Sequence, residues 1–315
     1  MTAAESQSLL ACVEEALRFR GATAPNPPVG AALLDREGSV LALGAHARAG
    51  TAHAEVVAIH SAREKGVLDQ AHTLVVTLEP CNHTGRTPPC TDAILALPQI
   101  RRVVYGASDP NASVVGGGAE RLRDAGLEVE FAESPEAALL LAPWAHLMEH
   151  GTPWVTLKIA RNTSGSMIPP AGQKTFTSPE SLKTAHLLRR NADALLTGSG
   201  TILADQPELT VRHLPDHPEK RRHLVILDRR VRVTPEYLAT ARSRGFLVHV
   251  LRYTPQEALR FLGSQGVIEV LVEAGPTLTE VFLSENLWNE KWTFTSTSSG
   301  PDRVEQEFNR VHRDH

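Results

Sequence analysis

His53-Ala54-Glu55, then Leu78-Glu79-Pro80-Cys81, then Cys90, is the stretch that decides how the first half of this chain is read. It gathers one imidazole, two thiols and one further carboxylate. A catalytic zinc takes three protein ligands and keeps a fourth position for water. Water held there has its pKa lowered to about 7, so hydroxide is available near neutral pH. His53, Cys81 and Cys90 supply the three ligands, which leaves Glu55 free to carry protons. The same residues fix local structure. His53 and Glu55 fall in the first turn of a helix that continues Val56-Val57-Ala58-Ile59, and Cys90 opens another through Thr91-Asp92-Ala93-Ile94-Leu95. Between them Thr73-Leu74-Val75-Val76-Thr77-Leu78 reads as a buried strand delivering Cys81 at its C-terminal end. Helix N-termini favour thiolate and carboxylate forms. The expected architecture is an α/β sandwich around a mixed sheet, with the site at strand ends and helix starts.

A structural zinc site is the competing reading. It requires a fourth Cys or His, for which His83 is the nearby candidate, and it has no use for Glu55. His83 reads instead as a loop residue and His60 as a helix-face residue. Cys12 lies in an N-terminal helical pattern without ligand-type neighbours and reads as a core cysteine. The pattern resembles the zinc nucleobase deaminases, whose signature is H-x-E followed by P-C-x-x-C. In that class the glutamate takes the water's proton, passes it to a ring nitrogen and later protonates the departing amine. Here the second spacing is wider, with eight residues between the thiols.

The flanking sequence narrows the likeness. Ala24-Pro25-Asn26-Pro27-Pro28-Val29-Gly30, Gly44-Ala45-His46, Gly50-Thr51-Ala52-His53-Ala54-Glu55-Val56, Glu79-Pro80-Cys81-Asn82-His83-Thr84-Gly85-Arg86-Thr87-Pro88-Pro89-Cys90 and Asp109-Pro110-Asn111 together resemble the deaminase half of the riboflavin-biosynthesis deaminase/reductase family (RibD type). The resemblance implies zinc on His53, Cys81 and Cys90, Glu55 as catalytic acid/base, and Asn26, His46 and Ala54 in the substrate pocket. It also implies that Arg86 meets the substrate phosphate, in keeping with a guanidinium's bidentate geometry, and that Asp109 and Asn111 form a turn near the ribosyl phosphate. Where the family continues that turn with proline, this chain has Ala112.

At 315 residues the chain reads as two domains, 1–147 and 152–315. A net charge of −4 gives no basic surface for a polyanion, and Lys220-Arg221-Arg222 and Arg229-Arg230 read as solvated loop charges. Met1-Thr2-Ala3-Ala4-Glu5 has no secretory-signal character, and no apolar run is long enough to span a bilayer. Three cysteines, two of them assigned to metal, fit a reducing cytoplasm. Strands are expected at Trp154 to Ala160, Ala194 to Thr197, His223 to Leu227, Leu247 to Leu251 and Ile268 to Glu273. The clearest helix is Pro179 to Arg190, with Ser178 as N-cap and proline at N1. From about Thr297 the chain is polar and aperiodic, and a frayed tail is expected.

From Thr152 to about Trp292 the chain resembles the reductase half of the same family, which has a dihydrofolate-reductase-like α/β fold. Gly198-Ser199-Gly200-Thr201-Ile202-Leu203-Ala204-Asp205-Gln206-Pro207-Glu208-Leu209-Thr210-Val211-Arg212 carries the likeness, with Val272-Glu273-Ala274-Gly275-Pro276-Thr277. It implies NADPH on Thr201 and Asp205, with Gly275, Pro276 and Thr277 at a phosphate-cradling helix start, and substrate on Arg189, Leu209, Arg212 and Glu273. The departures are Asn162-Thr163-Ser164-Gly165 for Ser-Leu-Asp-Gly, Thr175-Phe176-Thr177 for Trp-Ile-Thr, Ala274 for glycine, and Trp288-Asn289-Glu290 for Val-Asp-Glu. The chain also stops short of the family's usual end, so the closing strands of the reductase sheet are expected to be missing or replaced.

The expected function is therefore zinc-dependent deamination of 2,5-diamino-6-ribosylamino-pyrimidinone 5'-phosphate in riboflavin biosynthesis, followed by NADPH-dependent reduction of the ribosyl group. The alternative is a deaminase alone, with an inactive reductase-like domain, in a specialised pathway using the same intermediate. A small pyrimidine ribosyl phosphate is the expected partner, without nucleic acid or membrane, in a cytoplasmic homo-oligomer.

Overall fold

The computed structural model describes residues 1–84, 88–110, 117–168, 177–297 and 300–309. Two compact units divide it, Met1–Glu149 and His150–His315.

The first unit runs α1 (Ala3–Leu17), β1 (Gly30–Leu34), β2 (Val40–Ala45), α2 (Ala54–Glu64), β3 (Thr73–Val76), α3 (Cys90–Leu95), β4 (Arg102–Tyr105), α4 (Gly118–Asp124), β5 (Glu128–Phe131) and α5 (Pro135–His150). Its sheet order is β2-β1-β3-β4-β5. β1 is antiparallel to both neighbours, while β3, β4 and β5 are parallel, so the sheet is mixed as expected. Apolar residues alternate across it because successive strand side chains point to opposite faces. Leu33, Leu74, Val76 and Val103 pack with Ala58, Ile59, Ile94 and Leu122 of α2, α3 and α4. Ala32, Leu34, Val75 and Val104 face Leu9 and Cys12 of α1, and α1 meets α5 through Val13, Ala16, Ala137 and Leu140. Cys12 is completely buried, as a core cysteine should be.

The α1 contact is unusually close at Gly30, where a Cβ would lie 2.0 Å from the Cys12 carbonyl oxygen. No rotamer relieves a clash between two backbones. Gly30→Ala is expected to destabilise the first unit by about 3 kcal/mol, measurable by chemical unfolding.

The second unit runs β6 (Trp154–Arg161), α6 (Pro179–Asn191), β7 (Ala194–Gly198), α7 (Ser199–Asp205), β8 (His223–Leu227), α8 (Pro235–Ser243), β9 (Leu247–Leu251), α9 (Pro255–Ser264), β10 (Glu269–Glu273), α10 (Pro276–Ser284), β11 (Glu290–Thr295) and β12 (Arg303–Phe308). Among the described residues its strands lie in the order β12-β11-β6-β10-β7-β8-β9. Val155, Leu157, Val270 and Val272 pack against Leu259, Leu262 and Phe282 of α9 and α10. On the other face Leu195, Leu224, Ile226 and Leu271 meet Ile202, Ala241 and Phe246. Ser178 caps α6 by accepting the Ser181 N–H at 3.3 Å, with Pro179 at the first position.

Two expectations need correction, and two of the departures find structural roles. The segment after Thr297 is not simply frayed: β12 pairs antiparallel with β11 from Glu290↔Phe308 to Thr295↔Arg303 and closes that edge. Its side chains are largely exposed, so the hydrophobic signal of a strand is absent. Lys220 and Arg222 are not solvated loop charges. Lys220 Nζ lies 3.0 Å from Asp193 Oδ1, and Arg222 pairs with Asp216 while donating to the Arg189 and Arg190 carbonyls. Lastly, Asn289 serves as a backbone clamp, its Oδ1 accepting the Val155 N–H at 2.8 Å. Asn162 likewise closes its own turn by accepting the Ser164 and Ser166 N–H groups, at 3.0 and 2.9 Å. Thr175 and Phe176 lie outside the described residues.

Candidate active site

Three chain elements bring the donor atoms of the first unit together. His53 is the N-cap of α2, with extended backbone and its carbonyl accepting the Val57 N–H at 3.0 Å. Cys81 follows β3, and Cys90 is the first residue of α3. His53 Nδ1 lies 3.2 Å from Cys90 Sγ and 3.5 Å from Cys81 Sγ, and the Cys90 N–H donates to Cys81 Sγ at 3.3 Å. All three donor atoms fall within 4.8 Å of one another. Glu55, in the first turn of α2, is 4% exposed.

The electrostatics are those of a cation site. Hydrogen bonding with Cys90 lowers the Cys81 thiol to about 4 against the opposing effect of burial, and His53 adds to the lowering. The same bond and burial push Cys90 up. Hydrogen bonding to Cys81 raises His53. A divalent ion held by these donors would take both sulfurs as thiolates. One imidazole and two sulfurs suit zinc in charge and softness. Burial raises the Glu55 carboxyl above the ordinary carboxylate range, as a proton carrier working near neutrality requires.

His53, Glu55 and Cys81 open onto a cavity of about 360 Å³, with Cys90 buried behind them. Asn26, His46 and Asp109 also line it. The Asn26 amide donates to His46 Nε2 at 3.1 Å, and His46 Nδ1–H donates to the Ala52 carbonyl at 3.1 Å. Burial lowers the His46 pKa, in keeping with this neutral, fully bonded ring. Asn26 thus turns its amide nitrogen to His46. Ala54, expected in the substrate pocket, is instead completely buried in the core and is not among the residues that line the cavity. Arg86 and Asn111 lie outside the described residues. Trp144 and Met148 of α5 complete the wall. Sequence reasoning missed them because an apolar helix does not reveal which of its large residues border a cavity.

In the second unit the residues singled out are largely bonded to one another. Arg189 grips Glu273 through Nε–Oε1 at 2.5 Å and Nη2–Oε2 at 2.9 Å. Lys158, which sequence reasoning missed, lies 3.7 Å from Glu273 Oε2. Thr201 Oγ1 accepts the Gly275 N–H at 3.0 Å, and Pro276 and Thr277 open α10 behind that glycine. Asp205 is exposed at the end of α7. Leu209 has φ 58° and its side chain packs in the core. Arg212 pairs with Glu208 at 2.6 Å, and its N–H donates to Nδ1 of His186 at 2.9 Å. Burial, then the charge of Arg189, lowers His186 to about 4.

Fold and donor set define a class: a zinc-dependent deaminase unit joined to a second α/β unit built on a largely parallel sheet. The cytidine and deoxycytidylate deaminase zinc-binding region matches residues 3–107, and the RibD C-terminal domain matches residues 153–295. The riboflavin biosynthesis protein RibD of Aquifex aeolicus is 38% identical over 297 residues, covering 87% of this chain and 82% of that protein. RibD of Escherichia coli is 34% identical, covering 87% of this chain and 83% of its own length. A Thermotoga maritima structure, described as a diaminohydroxyphosphoribosylaminopyrimidine deaminase/5-amino-6-(5-phosphoribosylamino)uracil reductase, is 33% identical with a TM-score of 0.81, covering 95% of this chain and 89% of that one. Acinetobacter baumannii RibD superposes with a TM-score of 0.80 at 31% identity, over 94% of this chain and 88% of that one. The chain belongs to the RibD family of riboflavin biosynthesis proteins, and its two units have the cytidine-deaminase-like and dihydrofolate-reductase-like folds of that family. Among the described residues no helix is long and apolar enough to cross a membrane.

Proposed function

We propose that the first unit deaminates 2,5-diamino-6-ribosylamino-pyrimidinone 5'-phosphate to the 5-amino-6-ribosylamino-uracil phosphate. The second unit then reduces the ribosyl group with NADPH. The observation that carries this is the buried Glu55 beside the His53, Cys81 and Cys90 donors at a cavity of about 360 Å³. His53, Cys81 and Cys90 would hold a zinc ion, which when bound would supply Lewis acidity toward the attacking water. Glu55 takes one proton from the attacking water and delivers it to the ring nitrogen. It then takes the second from the hydroxyl added to the ring carbon and gives it to the amine, which departs as ammonia while the carbonyl forms. Asn26, oriented by His46, offers its amide oxygen to a ring N–H or amino group. Arg86, Asp109 and Asn111 take the ribosyl phosphate end. In the second unit Arg189, Leu209, Arg212 and Glu273 receive the substrate, while Thr201, Asp205, Gly275, Pro276 and Thr277 receive NADPH. The setting we assign is a cytoplasmic homo-oligomer.

Zinc removal tests the first half of this proposal. Chelated protein is expected to release no ammonia from the pyrimidine, and one equivalent of zinc to restore release. Full activity in metal-free protein would overturn the assignment.

A further inference from the structure

Eight residues separate Cys81 from Cys90, and the entropy of so open a loop opposes holding two sulfurs at one ion. The residues immediately after the two cysteines counter this. Asn82 Oδ1 accepts the Thr91 hydroxyl at 3.1 Å and Arg121 Nη1 at 2.8 Å. Arg121 Nη1 also reaches Thr91 Oγ1 at 3.0 Å, and its Nη2 lies 2.7 Å from Asp92 Oδ1. Thr91 is completely buried, and its N–H donates to the Cys81 carbonyl at 3.2 Å. The helix that carries Arg121 is itself docked on the Cys81 segment. Glu79 Oε1 accepts the Ala119 N–H at 3.1 Å. Gly118 approaches so closely that a Cβ there would lie 1.7 Å from the Pro80 carbonyl oxygen.

We propose that Arg121 is a positioning residue for the metal centre. Its guanidinium fastens the segment after Cys81 to the first turn of α3, so both thiols stand in register before the ion arrives. This rests on the zinc assignment above and adds to it a residue that acts through Asn82 and Thr91. The geometry calls for arginine. Three acceptors, Asn82 Oδ1, Thr91 Oγ1 and Asp92 Oδ1, spread across one planar fork, whereas a lysine ammonium is a single point of charge on a flexible stem. A simple ion pair does not account for the arrangement. The Arg121 and Asp92 side chains are 41% and 49% exposed, and pairs so exposed contribute little.

The test uses the full chain and reads zinc affinity by competition with a chromogenic chelator, alongside thermal unfolding of the zinc-free proteins. Arg121→Ala and Arg121→Lys are both expected to weaken zinc binding by about 10- to 100-fold, with zinc-free unfolding little changed. Thr91→Val, close to isosteric, is expected to weaken it in the same direction. Wild-type affinity in Arg121→Lys would reduce the residue to its charge and overturn the proposal. If the Arg121 variants do not fold, Thr91→Val decides, and wild-type affinity there overturns the proposal equally. Failure of the unaltered protein to take up one equivalent of zinc would instead overturn the zinc assignment itself.

Discussion

Glu55→Gln is expected to keep a full equivalent of zinc and to release ammonia about 100- to 10,000-fold more slowly. The three donor atoms that gather within 4.8 Å belong to His53, Cys81 and Cys90, so an amide at position 55 leaves the metal set intact. The amide has the carboxyl's shape but cannot shuttle protons. Stability is expected to hold or rise slightly. Glu55 is 4% exposed and burial disfavours its charged form, and a neutral amide is cheaper to bury than a carboxylate. Metal content, ammonia release and the unfolding midpoint check the three parts. Wild-type turnover in this variant would move proton transfer to another group. Glu79, which also lines the cavity, is poorly suited, because its carboxylate already accepts the Ala119 N–H at 3.1 Å.

Glu273→Ala is expected to destabilise the second unit by about 3–5 kcal/mol, the cost of leaving buried charge without its partner. Arg189, Glu273 and Lys158 have side chains 12%, 10% and 17% exposed. Truncating the acid strands a guanidinium and an ammonium together. The pH dependence has a definite sign. Burial raises the Glu273 carboxyl, but the charge and hydrogen bonds of Arg189, with Lys158, outweigh it and hold the pKa at about 2 against an ordinary 4.5. A depressed carboxylate pKa contributes stability that is complete above about pH 4.5 and is lost as pH falls towards 2. His186 acts in the same direction at higher pH. Its folded pKa of about 4 lies below the ordinary 6.5, so the neutral ring stabilises the fold above pH 6.5 and progressively less towards pH 4. Unfolding of the second unit followed from pH 7 to pH 3 should show both losses. In Glu273→Ala the component below pH 4.5 should be absent.

The zinc centre was legible in the sequence because its chemistry demands particular residue types in a fixed order: His53 and Glu55 at a helix start, Cys81 after a buried strand, Cys90 at the next helix. The start of α6 was legible for a similar reason, since Ser178 and Pro179 supply a cap and a proline in the positions where each is favoured. What was not legible depends on partners distant in the chain. Lys220 and Arg222 looked like surface charge, and only folding brings Asp193, Asp216 and the end of α6 to them. β12 escaped notice because an exposed edge strand does not carry the apolar alternation of a half-buried one. Trp144 and Met148 fit a helix periodicity that says nothing about a cavity. The Arg121 fork joins residues from three separate stretches of chain, none of which signals it alone.

The most direct measurement is a single reaction containing zinc-loaded protein, the diaminopyrimidinone ribosyl phosphate and NADPH, with ammonia and NADPH absorbance followed separately. The expected result is one ammonia per substrate, followed by oxidation of one NADPH. Ammonia alone would confine the activity to the first unit, and neither signal from protein carrying one equivalent of zinc would contradict the account.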